Sequence, residues 1–265
     1  MVKQAIATIG MVSGVAAAQL PSGAPQLAGE VVSQSFAVAG PDHILAVSAT
    51  SLAGQTAKYD SNGDGIFEIQ RTIGTATALG NSNMSLYELG AGTALPPNVF
   101  FYSKEDAVGE PIYSASYNGS GVFSTGSGTV SIYDDNDPYN LTVVSTSVGG
   151  VGAPWLIFDP FRPVGEQWRL VGVVEQISTD TRAVALSRYR TAIRSAIDPC
   201  GYIGTLAAPT NVVSQADVQE FVHLYMAPNL SEADAVDFAQ PFSILSQSDA
   251  NAFAAIYLDC TGGAP

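Results

Sequence analysis

The residues best suited to chemistry by type and spacing are Asp60, Asn62, Asp64 and Glu68, within and just after Asp60-Ser61-Asn62-Gly63-Asp64-Gly65. Alternate oxygen-bearing side chains followed by glycine match the first half of a calcium loop, because a hard cation needs several oxygens converging from one sharply turning segment. The twelfth position is Arg71, where an EF-hand needs a bidentate acid. Asn62-Gly63 and Asp64-Gly65 also spell a hairpin turn between strands; the turn is the preferred expectation and calcium the alternative. Asp134, Asp135, Asn136 and Asp137, ended by Pro138, form a polar loop and a weaker calcium candidate. No other cofactor is expected. Proton transfer has few carriers, since His43 and His223 are the only histidines. Cys200 and Cys260 are the only cysteines, and with His223 as the one histidine between them they do not compose a zinc set. In an exported chain they are expected to pair, a closure of about 60 residues worth roughly 4 kcal/mol in the chain-entropy model.

The elements that must position these groups fall into two kinds. From about Gln19 to Val174, short β-branched and aromatic runs alternate with Gly, Asn, Ser and Pro, the pattern of an antiparallel barrel or sandwich. Strands are expected around Phe36 to Ala39, Val99 to Tyr102, Ile112 to Tyr117, Gly128 to Tyr133, Leu141 to Ser145, Trp155 to Phe158 and Trp168 to Val174. Val184, Leu186, Tyr189, Ile193 and Ile197 then recur at roughly helical spacing, predicting a helix over Ala183 to Ile197 with Arg182, Arg188, Arg190 and Arg194 on its solvated faces.

After Asp198 no Lys or Arg follows, which places a domain boundary near Pro199. The tail is internally repeated: Leu206 to Tyr225 recurs as Phe238 to Tyr257, 32 residues later. Each copy carries a capping-box start, Ser214 with Asp217 and Ser246 with Asp249. Each then shows one apolar face: Val218, Phe221, Val222 and Tyr225 in the first, Ala250, Phe253, Ala254 and Tyr257 in the second. Two short helices cannot bury such faces alone, so they are expected to pack on each other under a Cys200 to Cys260 clasp.

Composition narrows the function classes. Ten Lys and Arg against 24 Asp and Glu give a formal charge of -14, which disfavours nucleic-acid phosphates and anionic lipid as partners. Lys3, an apolar run and Ala16-Ala17-Ala18 resemble a signal peptide over residues 1 to 18, implying export to an extracellular or cell-surface location. That run is short for a membrane span, and none is expected in the mature chain. Asn118-Gly119-Ser120 and Asn140-Leu141-Thr142 fit glycosylation acceptors.

Three stretches, in order, resemble the trypsin-like serine proteases. Ser35 to Ala49, ending Ile44-Leu45-Ala46-Val47-Ser48-Ala49, is similar to the stretch leading into that family's Thr-Ala-Ala-His-Cys motif. Asn83-Met84-Ser85-Leu86-Tyr87-Glu88-Leu89 is similar to its Asp-Leu-Ala-Leu strand, and Gly149-Gly150-Val151-Gly152-Ala153-Pro154 to its Gly-Asp-Ser-Gly-Gly-Pro loop. The resemblance covers most of residues 19 to 198 and implies a mainly β fold, a double six-stranded antiparallel barrel. It also implies that Ala49, Asn83 and Val151 stand where the family has His, Asp and Ser. That chemistry needs a hydroxyl nucleophile, an imidazole to take its proton and a carboxylate to orient the imidazole. None of the three residues supplies its part. His43 lies six residues before Ala49, roughly 20 Å away along an extended strand, and does not rebuild the site. The Gly149 and Val151 amides could still form an oxyanion-like nest, although Gly150 replaces the acid that locks the family's loop.

The tail, residues 199 to 265, resembles a dockerin module of the kind that ends in a Cys near its C-terminus. The resemblance rests on the two Ser-x-x-Asp helix starts, the Phe-x-x-x-Tyr faces and Cys260. It implies attachment to a partner, a cohesin-like module or another surface protein. Leu206, Ala208, Thr210, Phe238, Gln240 and Phe242 occupy most places where a calcium-binding dockerin has its ligands, so apolar packing and the disulfide are expected to stand in for calcium. The expected function is non-catalytic binding or display; the alternatives are a hydrolase with a non-standard site and a purely structural surface protein.

Overall fold

The computed structural model describes residues 20–79, 83–97, 99–102, 107–117, 122–133, 141–143, 148–177, 180–203, 206–207, 213–226, 236, 238 and 245–262. The expected signal segment, the acceptors Asn118 and Asn140 and the acidic loop at 134–137 lie outside these residues. So do Ala208, Thr210, Gln240 and Phe242 of the tail.

Among the described residues, six strands close a first barrel: β1 (Ala28–Val31), β2 (Gln34–Gly40), β3 (His43–Val47), β4 (Thr56–Tyr59), β5 (Ile69–Ala78) and β6 (Met84–Leu89). Every pairing is antiparallel, and β1 with β4 completes the ring. A second ring of six follows: β7 (Pro111–Tyr117), β8 (Phe123–Tyr133), β9 (Leu141–Val143), β10 (Pro154–Phe158), β11 (Trp168–Ile177) and β12 (Thr181–Ala185). Here β7 with β10 makes the closure. Closure removes the exposed edges that open sheets must otherwise protect.

Local sequence explains the tight places. Gly29 faces Phe36 across the β1 and β2 pair, and a Cβ there would lie 2.1 Å from the Phe36 ring, so only glycine lets that ring fill the first core. The turn joining these strands uses Val32 and Ser33 at φ 45° and 65°. Two left-handed residues suit a hairpin twist, but for β-branched Val32 the conformation is strained.

Arg71, at the unmatched twelfth loop position, is turned into the barrel. Its guanidinium is buried and donates to the Gly90, Pro41 and Leu89 carbonyls at 2.7, 3.0 and 3.0 Å, and to Asp42 at 2.7 Å. It pins two chain segments and is not placed to ligate an ion.

Two expected elements differ. Ala183 to Ala185 belongs to strand β12, and the helix α1 covers only Arg190–Ile197, after a 3-10 turn at Ser187–Tyr189. Val184, Leu186, Tyr189 and Ile193 are all buried as the periodicity required, but the first is buried by pairing with β11 in the closing barrel. A largely buried strand followed by a helix with one buried face imitates one long helical period. Val99 to Tyr102 forms no strand of a barrel. It runs beside β11, with Tyr102 N donating to Leu170 O at 2.8 Å and Leu170 N to Phe100 O at 2.7 Å.

Among the described residues three further helices follow: α2 (Pro199–Ile203), α3 (Gln215–Tyr225) and α4 (Gln247–Cys260). Both capping boxes form, with Asp217 and Asp249 accepting from the Ser214 and Ser246 amides at 2.8 Å each. Cys200 and Cys260 are disulfide-bonded, joining α2 to α4. The tail has its own core around Tyr202, Ile203, Phe221, Val236, Phe238 and Phe253. Phe221 and Phe253, equivalent positions of the two repeats, stack with centroids 4.1 Å apart. Val218, Tyr225, Ala250 and Tyr257 pack partly buried against it. Val222 and Ala254 do not: both are exposed, because each helix buries a face narrower than the apolar stripe of its sequence. No described helix is long and apolar enough to cross a membrane.

Candidate functional site

Ala49, Asn83 and Val151 come from three separate segments, each tied by hydrogen bonds of its own or of a chain neighbour to the region where the barrels join. Ser48 N donates to Asn83 O at 3.0 Å, extending the β3 and β6 register beyond Val47 and Met84 and setting Ala49 beside residue 83. Val151 O accepts from Ser35 N of β2 at 3.2 Å, and Gly152 N donates to Val174 O of β11 at 2.7 Å. Asn83 N and Nδ2 both donate to Glu175 Oε1, at 3.3 and 3.2 Å, linking the first barrel to the second. Ala49 and Asn83 are exposed and Val151 is half-buried, packed against the first core.

The loop from Gly149 to Ala153 is shaped by glycine. Gly152 has φ 83°, and a Cβ there would stand 1.8 Å from Ser35 O. Gly149 has φ 87°, with Ser114 Oγ 2.5 Å from where its Cβ would be. Ser35 itself is buried and bonded twice to Tyr117 of β7, through its hydroxyl to Tyr117 O and from Tyr117 N. The seam is therefore held by backbone contacts, by the Ser35 hydroxyl and by the Asn83 and Glu175 pair. Among the described residues the Gly149 and Val151 amides donate to no backbone carbonyl.

No imidazole reaches the seam. His43 begins β3, at the other end of that strand, and pairs with Gly40 and Glu88. Its partial burial lowers its pKa, opposed by the carboxylates of Glu88 and Asp42. His223 is exposed on α3, with Nδ1 3.6 Å from Glu220.

The second candidate, residues 60 to 68, connects β4 to β5. Carboxylate oxygens of Asp60, Asp64 and Glu68 lie within 4.8 Å of one another, so the sequence candidates do come together. Each already has protein donors. Asp60 Oδ1 accepts from Asn62 N and Gly63 N at 3.1 and 2.7 Å, and Oδ2 from Gly65 N and Tyr117 Oη at 2.7 and 3.0 Å. An ionised carboxylate offers about four acceptor positions, and all four are in use. Burial raises the Asp60 pKa, but the donations from Gly65, Gly63, Tyr117 and Asn62 together hold it below the ordinary carboxylate value. Asn62 Oδ1 and Asp64 Oδ1 accept from Asp64 N and Ile66 N, and Glu68 Oε2 from Ser61 N. The expected turn is present, stabilised by these oxygens.

Sequence reasoning missed Glu175 and Ser35. A lone acid in the apolar run Trp168 to Ile177 was a signal for the first. Ser35 gave none, since its role follows from the approach of two barrels.

No family profile and no curated protein matches the chain. Solved structures do. Kallikrein-related peptidase 10 in complex with Zn²⁺ aligns with a TM-score of 0.51 at 10% identity, over 69% of this chain and 100% of that one. A serine-to-alanine mutant of Rv3671c from M. tuberculosis, in an inactive form, gives 0.42 at 13% identity over 60% and 80%. The MamO protease domain from Magnetospirillum magneticum, in apo form, gives 0.45 at 13% identity over 63% and 95%. From the first of these alignments and the two closed barrels, the chain has the fold of the trypsin-like serine proteases, followed by a small helical C-terminus.

Proposed function

We propose that this chain is an exported, non-catalytic protein of trypsin-like fold that acts by binding, with the barrel cleft as the presented surface and the helical tail as an attachment module. One observation carries this reading. Where three segments are tied to the inter-barrel seam, the side chains are Ala49, Asn83 and Val151, with no nucleophilic oxygen or sulfur and no proton-transferring ring among them. Losing such a unit costs about a factor of a million in turnover where the whole triad is removed. The Cys200 and Cys260 disulfide supports export, because such bonds persist in oxidising compartments. The separate core of the tail, built from two copies of one helical unit, supports a module distinct from the barrels.

The test is a fluorophosphonate serine-hydrolase probe applied to the purified full chain. No labelling above a heat-denatured control is expected, and stoichiometric labelling of any serine would overturn the reading. Capture of exported proteins by the full chain, compared with a chain truncated after Asp198, tests the tail.

A further inference from the structure

Four arginines of this acidic chain are gathered in one region, away from the seam residues. Arg169, on β11, donates to the Phe101 carbonyl and lies over the Phe100 ring at 5.9 Å. Phe101 lines a cavity of about 250 Å³ together with Arg194 of α1, whose guanidinium lies over the Tyr202 ring at 5.6 Å. Arg190 precedes Arg194 by one turn, on the same side of α1. Arg162 stands on the turn joining β10 to β11, 3.5 Å from Asp159. Partial burial lowers the Arg169 pKa, and the charges of Arg162, Arg190 and Arg194 lower it further against Asp159, so the four guanidinium groups share one neighbourhood.

Local stability does not call for this arrangement. Like charges one turn apart oppose a helix, and Arg190 opens α1 at its positive end with no acid in the first turn. Among the described residues neither Arg190 nor Arg194 forms an ion pair. The turn that carries Arg162 also holds Phe161 and Val164 outward, at 92% and 93% exposure. It is a rigid turn: Phe161 N donates to Asp159 Oδ1 at 3.1 Å, and Glu166 N to Pro163 O at 2.9 Å. Arginine and aromatic side chains presented together are the groups enriched at protein interfaces, and they dominate binding there.

Charge requires an acidic partner, and the chain itself has one. Beyond Asp198 the tail has no Lys or Arg, carries Glu220, Glu232, Asp234 and Asp259, and exposes Val222, Met226 and Leu258. Within one chain the tail is fixed in place through the buried Thr191 and Tyr202 hydroxyls, 3.0 Å apart, and through the disulfide. We propose that the arginine face around Phe161 and Val164 docks the acidic tail of a second copy, so that chains join head to tail. This rests on the attachment role proposed for the tail and names its partner. Because the two surfaces differ, the contact is heterologous and propagates unless its rotation closes a ring. Complementary charge aligns the copies, and apolar burial holds them.

Sedimentation velocity of the purified full chain over a wide range of concentration is the test. Species larger than a monomer are expected to grow with concentration. R190E/R194E and, separately, F161S/V164S are each expected to weaken association about tenfold or more with Tm unchanged. The tail variant E220Q/E232Q/D234N/D259N separates specific pairing from general electrostatics. It reduces a net charge of -14, so mutual repulsion alone predicts stronger association, whereas the docking predicts weaker. Mixing R190E/R194E with the tail variant leaves one intact interface per pair, so a dimer and nothing larger is expected from two chains that are each monomeric alone. Association unchanged in both face variants, or strengthened in the tail variant, would overturn the docking. So would a chain that stays monomeric throughout; if its tail then still captures another exported protein, the attachment reading stands without this partner.

Discussion

The inter-barrel seam and the loop between β4 and β5 are two candidate sites that depart from chemistry in opposite directions. At the seam the backbone frame is kept, with glycine at 149 and 152 in left-handed conformations and Ser35 clamped between the barrels, while the side chains at 49, 83 and 151 have no reactive group. In the loop the side chains are kept, three acids gathered within 4.8 Å, but their oxygens hold the loop's own amides. One is a frame without reactive side chains, the other a set of acids bonded to their own backbone. The seam should therefore be sensitive to backbone changes and indifferent to side-chain ones at 49, 83 and 151, and the loop the reverse.

The largest effect is expected from Gly152→Ala. A methyl group 1.8 Å from a backbone carbonyl, at φ 83°, has no flexible neighbour to displace, so the two barrels must separate. Destabilisation on the order of 4 kcal/mol or more is expected, read as the shift in urea midpoint. A loss under about 1 kcal/mol would show that the barrels do not meet at Gly152.

Next comes Asp60→Ala, which strands Gly63 N and Gly65 N and removes the acceptor of Tyr117 Oη. About 3 kcal/mol is expected, since buried donors lose a charged acceptor. The depressed carboxyl also gives a pH signature with a definite sign. Its stabilisation is complete above the unfolded value of about 3.9 and is lost as pH falls through the lower folded value, so Asp60→Asn should have a shallower acid limb below about pH 4. An unchanged acid limb would mean that the loop is not organised by Asp60.

The same contrast explains what the sequence made legible. The barrel elements were visible because alternation and glycine turns are local signals, and Gly149 to Pro154 was visible because its glycines are demanded by one tight loop. Ser35, Arg71 and Glu175 act across 18 to 92 residues of chain, as the Ser35 and Tyr117, Arg71 and Leu89, and Asn83 and Glu175 bonds show. Such partners depend on how the barrels meet, which no window of sequence contains. The helix expected from Ala183 failed for a related reason: Val184 is buried by β11, an element elsewhere in the chain.

Asn83→Ala should cost about 1 kcal/mol or less, because Asn83 is exposed and loses only its Nδ2 donation, while its backbone bonds to Ser48 and Glu175 remain. A loss of 3 kcal/mol would erase the distinction between seam and loop.

The smallest effect is expected from calcium. Sites of the extracellular class bind with dissociation constants of about 10⁻⁴ to 10⁻³ M. At the tighter end, 10 mM calcium would stabilise the fold by about 2.7 kcal/mol, several degrees of Tm in a chain of this size. With Asp60 occupied by four donors, and Asp64 and Glu68 bonded to Ile66 and Ser61 amides, the ion would have to displace hydrogen bonds that already occupy these oxygens. No shift beyond about one degree is expected in a thermal scan with calcium against chelator. A rise of several degrees that Asp64→Asn abolishes would show instead that the loop's amides and an ion share the same oxygens, and the contrast with the seam would then be one of occupancy and not of design.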